Sequence, residues 1–453
     1  MTRTIREPAR EVPVVREVDV LVCGGGPAGI GAALGAARTL HGGRRPRVLL
    51  VERYGFLGGV GTAALVCSFG GFHDRVRPVI GGVFGELRDA LHRAGALVRT
   101  DGGNEAYHPE AYKQLAVERL LEAGVELRLH TYVVDAVVGR GAIEAVLVES
   151  KSGRQAITAR RYVDATGDGD LAARAGVPYD LGRPADGLMQ PPTMMYLIGG
   201  VSFERAAAAQ PELVRRDADG RPYFALTGLR PEVAAARAAG ELRIPRDHVS
   251  AVFQVPWLEG VCGVNYGRVL RVDGTDADDL TRAEIEGRRQ VGDGLAFLKR
   301  TVPGFERAQL LATAPQIGIR ESRRIRGRYV MTRDDITTHR QFDDVVAQGC
   351  WMLDIHQPDS DRTEFYRLPP GAHYDIPYGS LLPLDVNNLL VAGRCISASH
   401  EALGAFRIQA ICMAIGEAAG AAAGLSLAAA CAPATLDVPC LQRHLEAQGA
   451  ILR

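Results

Sequence analysis

Gly24-Gly25-Gly26-Pro27-Ala28-Gly29 has the spacing G-x-G-x-x-G, directly after a β-branched run, Val18 to Cys23, and directly before an Ala- and Leu-rich stretch, Ala28 to Leu40. In that setting each glycine has its own task. Gly24 permits a tight turn, Gly26 lets a diphosphate approach the backbone, and Gly29 lets a helix pack against its strand. The amides at the helix start, with Pro27 and Ala28 in the first turn, and the positive end of the helix dipole favour phosphate there. Glu52 stands 23 residues beyond Gly29, at the end of the apolar run Val48 to Val51. A carboxylate in that place accepts hydrogen bonds from ribose hydroxyls and selects an adenosine with a free 2′-hydroxyl. Arg53, next to it, is placed to face phosphate, adenine or solvent.

The elements that must position these groups follow from the pattern. The first strand, the glycine turn, the helix and Val48 to Val51 make one βαβ unit. From Pro109 to Ala123 apolar residues recur at three and four behind an N-terminal proline, with Gly124 as a stop, which predicts a helix. Val125 to Val138, Ala142 to Ser150 and Gln155 to Gly167 read as strands joined at Gly139 to Gly141 and at Ser152-Gly153, an antiparallel meander inserted in an α/β domain. Between about residues 180 and 375 the chain turns to Ala-rich helices, Pro-containing turns and a few strands. Asn387 to Gly393 returns to buried-strand character, and Gly404 to Ala430 predicts one long helix of small residues. The expected plan is therefore α/β: a Rossmann-type domain with a parallel sheet and inserted β-meander, discontinuous over 17–179 and 376–432, plus a second mixed α+β substrate domain over 180–375. An extended arm (1–16) and a C-terminal tail (433–453) flank it.

Composition narrows the function classes. The chain has 453 residues, 47% apolar and 23% charged, which is ordinary globular usage. Its 53 basic and 53 acidic residues cancel, so no sequence-independent attraction to nucleic acid is expected. The longest apolar tract, Ala418 to Ala432, is short for a bilayer and rich in Ala and Gly, which predicts a packed helix and no membrane span. The first sixteen residues lack the apolar core of a secretory signal. Eight scattered cysteines without a C-x-x-C pair predict reduced thiols, a cytoplasmic setting and no metal site.

The blocks PAREVPVVREVDVLVCGGGPAGIGAAL, VERYGFLGGVGT, VDATGDGDLAARAG and VAGRCISASHEALGAFRIQA, in that order from about Pro8 to Leu425, resemble a family of FAD-dependent oxidoreductases in the glutathione-reductase-like flavoprotein superfamily. The resemblance implies FAD bound in an extended form. It puts Gly58, Gly59 and Thr62 in a loop that passes the pyrophosphate toward the flavin, and has Val133 touch adenine through its main chain. Asp168 falls in the superfamily's ATG-type turn beside the dinucleotide, with capping of the next helix as the alternative. Gly393 and Arg394 match the strand-end turn beside the pyrophosphate or ribityl chain, where many relatives write Gly-Asp. Ala405, Phe406 and Arg407 would begin the long C-terminal helix, whose amides and dipole would face the flavin N1 and C2 carbonyl.

A second glycine fingerprint, the Gly-Asp-Ala-x-His block of aromatic hydroxylases and a Trp-x-Trp pair are all missing from the sequence. The expected reaction is a dehydrogenation or oxidation of a small-molecule substrate, with hydride passing to flavin N5 and a base taking the proton; the electron acceptor that reoxidises FAD is unnamed. His400 and Glu401, between two flavin-contacting blocks, are the candidate acid–base groups or else caps and loop bonds. Arg320 and Arg323 resemble the family's Gly-x-Arg-x-x-Arg segment and either hold a substrate carboxylate bidentately or pair with carboxylates between domains. The alternatives are a flavoprotein monooxygenase fed by external NAD(P)H and a non-catalytic flavin-binding subunit.

Overall fold

The computed structural model describes residues 4–40, 42–100 and 102–453. Its first strand, Val14–Cys23, begins three residues inside the expected arm, with Val14 opposite Ala156. Val20, Leu21, Val22 and Cys23 are all fully buried, because both faces of this strand are covered, as a parallel sheet requires. Val48–Val51 runs parallel to it on one side and Gly153–Asp164 on the other. Glu126–Arg128 extends the first side, and Leu389–Val391 lies parallel to the end of Gly153–Asp164, so the chain does re-enter its first sheet. The early part of Gly153–Asp164 instead carries the antiparallel meander of Ala142–Ser150 and Tyr132–Gly139.

The strand expected over 125–138 is two strands at opposite edges of the sheet. His130, at φ 53, turns the chain between them; its amide and that of Thr131 donate to the carbonyls of Tyr54 and Glu52. Histidine tolerates the left-handed region better than most residues, and nothing in the period-2 pattern marks the break.

Helix Pro27–Ala37 is buried at every position. Against it lies Gln409–Ala428, so close that a Cβ on Gly416 or Gly420 would sit 2.0 or 1.9 Å from the carbonyl oxygens of Ala28 and Ala32. This contact explains the Ala/Gly run. The helix is long and apolar enough to cross a membrane, but 89% of its apolar stretch is buried inside the protein. It starts at Gln409 rather than Gly404. His400–Phe406 forms a separate short helix, and the chain is extended at Ile408. Gln409 sets the start: its side-chain amide donates to the carbonyls of Val66 and Ser68 and its oxygen accepts from Tyr107.

The stretch expected as Ala-rich helices with few strands holds a six-stranded antiparallel sheet, in the order Val214–Arg216, Pro222–Gly228, Val249–Gln254, Cys262–Asn265, Tyr196–Gly199, Gln309–Thr313. Its strands are three to seven residues long, too short to dominate the composition around them. Ala277–Thr301 packs against it, with Gly294 against the Tyr196 hydroxyl. Leu65 and residues from Met194 to Ile319 form this second core, whereas buried side chains from Ile325 to Leu382 join the first. The chain changes core near residue 320, inside the span that the sequence reading assigns to one domain. The expected C-terminal tail contains helix Val438–Ala447, with Leu441, Leu445 and Leu452 buried in the first core.

Candidate functional site

At the glycine turn the three key positions differ in the room they leave. A Cβ on Gly24, at φ +103, would stand 2.5 Å from the Ala165 carbonyl oxygen, and one on Gly29 would stand 1.8 Å from that of Gly24. Gly26 is the open one: its nearest obstacle is the Gly59 Cα at 3.7 Å. Two glycines are thus sealed by backbone and the middle one faces a gap. The 57–62 loop forms the far wall, pinned by Gly58 N–H to the Gly25 carbonyl at 2.9 Å and by the Thr62 hydroxyl to the Leu57 carbonyl at 2.7 Å. Gly393, at φ +87, closes the other side, where a Cβ would meet the Ala28 methyl at 2.9 Å. The first-turn amides of the helix have no carbonyl one turn back and the N-cap Gly26 offers no side-chain cap, while Pro27 has no N–H to satisfy.

Glu52 is 7% exposed, and its two oxygens accept from Gly25 N–H at 2.6 Å and Tyr54 N–H at 2.9 Å. With Gly24, Arg53, Tyr132, Val133 and Asp170 it lines a cleft open to solvent. Arg53 donates to the Gln316 side chain at 2.9 Å and lies 5.0 Å over the Tyr54 ring. Burial works against its charge, and Tyr54 and Asp168 more than offset that.

The 164–170 turn is held by Asp164, fully buried, which accepts from Thr166 N–H and hydroxyl and from Ala172 N–H. The Thr166 hydroxyl in turn accepts from Asp170 N–H. These two residues cap the helix that follows, so the capping alternative for Asp168 does not hold. Asp168 instead meets Arg394 at 2.5 Å and the Ser322 hydroxyl at 2.9 Å. Burial pushes its carboxyl up, but Arg394 and Arg53 hold it below the usual carboxylate range. Asp170 is pushed up to about 6 by burial and by Asp168 and Asp164, against the pull of Arg323.

The candidate catalytic residues do not form one group. His400 is buried, with Nδ1 2.9 Å from Glu321, and Glu321 also binds Arg324 and accepts from Gln190 N–H. Glu401 lies in the first turn of the short helix that Ser399 caps, its carboxyl lowered by its own amide and Ser399 despite burial. Arg323 reaches Asp170 at 2.9 Å and the Asp168 carbonyl at 3.1 Å. Arg320 turns elsewhere, donating to the Pro191 carbonyl at 2.5 Å and the Thr193 hydroxyl at 2.7 Å. The two arginines share no partner and cannot form the single carboxylate clamp that their spacing suggests. Ala405 and Phe406 are fully buried at the end of the short helix, not at the start of the long one. Arg407, which closes that helix, is drawn to Asp354, 3.1 Å from both its carbonyl and its carboxylate.

Arg407 leads to residues that the sequence reading missed. His356 Nε2 lies 3.1 Å from Asp354, and Arg268, itself buried, donates to His356 Nδ1 at 2.8 Å and to the Thr363 hydroxyl at 2.6 Å. A guanidinium only donates, so Nδ1 is the acceptor and the ring proton faces Asp354 from Nε2. Burial keeps His356 neutral, with its pKa well below the ordinary value. Asp354 stays ionised: burial opposes its charge, and His356, Arg407 and Arg320 outweigh it. Arg246 completes the group from the second core. Its sequence context, LRIPRDH, has four polar residues in seven and gives no sign that Arg246 is buried. No cluster of three or more metal-binding side chains occurs among the described residues.

The parallel sheet, the open Gly26 and the Glu52 cleft define a dinucleotide-binding protein of the βαβ type. Residues 19–445 match the model of the family described as FAD dependent oxidoreductase, and the chain belongs to that family. FAD is its cofactor, and the open turn and Glu52 fit it. No curated protein sequence matches the chain. Similar solved structures include a geranylgeranyl bacteriochlorophyll reductase-like protein from Thermoplasma acidophilum, 13% identical, covering 95% of this chain and 83% of that one at TM-score 0.47. A myxobacterial chondrochloren halogenase is 14% identical over 96% and 78% at 0.45, and p-nitrophenol 4-monooxygenase from Pseudomonas putida DLL-E4 is 14% identical over 95% and 84% at 0.42.

Proposed function

We propose that the protein oxidises a small organic substrate by two electrons: hydride leaves a carbon bearing a hydroxyl or amino group, the O–H or N–H proton is released, and a C=O or C=N bond forms. FAD, when bound, supplies the hydride acceptor at N5. The observation that carries this reading is the open Gly26 between two sealed glycines, with buried Glu52 beside it. Amides of the first helical turn would hold the diphosphate between Gly26, Gly59 and Gly393. Glu52 would hold the ribose, and the Val133 main chain the adenine. The Asp168–Arg394 pair borders the same turn. The sheet order and inserted meander support placing the family in the glutathione-reductase-like superfamily.

The substrate as electron source is supported by the second core. Its sheet is antiparallel throughout, and a nicotinamide-binding unit of the disulfide-reductase kind needs a parallel βαβ turn. The loop that passes Gly59 and Thr62 continues to Ala63, whose carbonyl accepts from Gln316 N–H at 3.0 Å. The cofactor loop is thereby tied to the segment that carries Arg320.

Anaerobic addition of candidate alcohols and amines to the FAD-loaded protein tests the proposal, with bleaching of the visible flavin band as the expected result. Bleaching by reduced nicotinamides alone, coupled to oxygen uptake, would replace it with the monooxygenase reading. Folded protein that refuses FAD would remove the cofactor site itself.

A further inference from the structure

Arg246, Arg268, Arg320 and Arg407 surround one ionised carboxylate, Asp354, and one neutral histidine, His356. Hydrogen bonds run from Arg407 to Asp354, Asp354 to His356 and His356 to Arg268, while Arg246 makes no side-chain hydrogen bond and acts on Arg268 and Asp354 through its charge. Arg320 joins through the Thr193 hydroxyl, which donates to the carbonyl of Gly267, next to Arg268. Four guanidinium charges meet one buried carboxylate, with Asp361 acting on Arg268 from outside the group, so positive charge stays in excess. Burial and mutual repulsion lower the pKa of Arg320 well below its ordinary value and that of Arg246 to about 10.

The unsatisfied atoms point the same way. Among the described residues, Arg246 Nε and Nη1, Arg268 Nε, Arg407 Nε and Gln190 Nε2 are buried without a hydrogen-bond partner, and Arg246 is 4% exposed. All five are donors, against one acceptor of the same group, Asp354 Oδ1, that also lacks a hydrogen-bond partner. Gln190 belongs to the same group, because its side-chain oxygen accepts from His356 N–H at 3.3 Å. Buried donors in such number, around uncompensated positive charge, lack an acceptor that carries negative charge.

Resting on the proposed oxidation, we propose that the substrate carries a carboxylate, bound by Arg246 and Arg320 at the junction of the two cores. A planar oxyanion suits the guanidinium fork, which can give two parallel N–H bonds to one carboxylate. Arg407 and Arg268 are already committed to Asp354 and His356 and act as positioning residues. The cofactor loop adjoins this place: Gly318 pairs with Thr193 through bonds of 3.2 and 2.9 Å, and Gln316 bonds to Ala63.

Thermal melts of the protein, with and without FAD, in acetate, malonate, succinate or phosphate at ionic strength matched with chloride, test this. At least one carboxylate should raise the midpoint saturably, where chloride does not. R246M and R320M should each weaken that carboxylate by about tenfold or more, while R326M, an exposed pair partner of Asp180, stays within about twofold. R246M should melt no lower than the parent in chloride, since it removes an uncompensated buried charge. No carboxylate shift beyond chloride, a shift with phosphate alone, or wild-type affinity in R246M would overturn the proposal. The melts without FAD keep its failure separate from a failure of cofactor binding.

Discussion

Arg323, Arg324 and Arg394 each have a carboxylate of their own, in Asp170, Glu321 and Asp168. Of Arg246, Arg268, Arg320 and Arg407, only Arg407 bonds to Asp354, whose charge also acts on the other three. Both groups are buried and lie within a few residues of one another in sequence at Arg320 and Arg323. The first group ties the 164–170 turn and the His400 helix to the 321–324 segment, and its charges cancel locally. In the second, charge and donors remain in excess, which stability alone does not favour. Paired guanidiniums here build the frame, and crowded ones wait for an anion.

The comparison breaks most visibly at Glu321. E321A leaves the buried Arg324 charge and His400 without their carboxylate and is expected to destabilise the fold by about 3–5 kcal/mol, read from urea unfolding. An unchanged midpoint would mean that the pairing does not hold the frame.

Glu417 is the inverse case, a buried carboxyl whose nearest guanidinium, Arg38, lies 3.8 Å away. Burial, despite the Val83 amide, raises it from 4.5 to about 7. Between those values the folded state binds more protons than the unfolded one, so this group's contribution to stability falls as pH rises from about 4.5 to 7, by about 3 kcal/mol. E417Q should flatten that slope in stability-versus-pH curves, and a slope identical to the parent's would refute the assignment.

D168N removes the partner of Arg394 in a less buried setting and should cost about 2 kcal/mol, with weaker FAD retention on gel filtration. Retention equal to the parent's would move Asp168 from the cofactor turn to the frame alone. At the small end, R326A breaks the exposed pair with Asp180 and should shift stability by less than about 1 kcal/mol. A larger loss there would show that pairing, not burial, sets these effects.

Much of the cofactor half was legible because its signals are local. The turn from Gly24 to Gly29 spans six residues, its strand and helix adjoin it, and Glu52 follows at the length of one βαβ crossover. Backbone sterics confine such a turn to glycine, so residue type alone reports the conformation. The meander was legible through its tight turns, except where His130 splits one strand. The break between Phe406 and Gln409 was hidden, since both flanks are helix-forming and the decisive bonds run from Gln409 to the distant Val66 and Ser68.

By itself, then, the sequence determined the parallel sheet, the glycine turn and the acidic residue at the end of the second strand, which depend on neighbours along the chain. Only the tertiary structure decided which arginines are neutralised. A charge's state depends on what lies within a few ångströms in space, and Arg246, Arg320, Asp354 and Arg407 come from four separate segments and two cores.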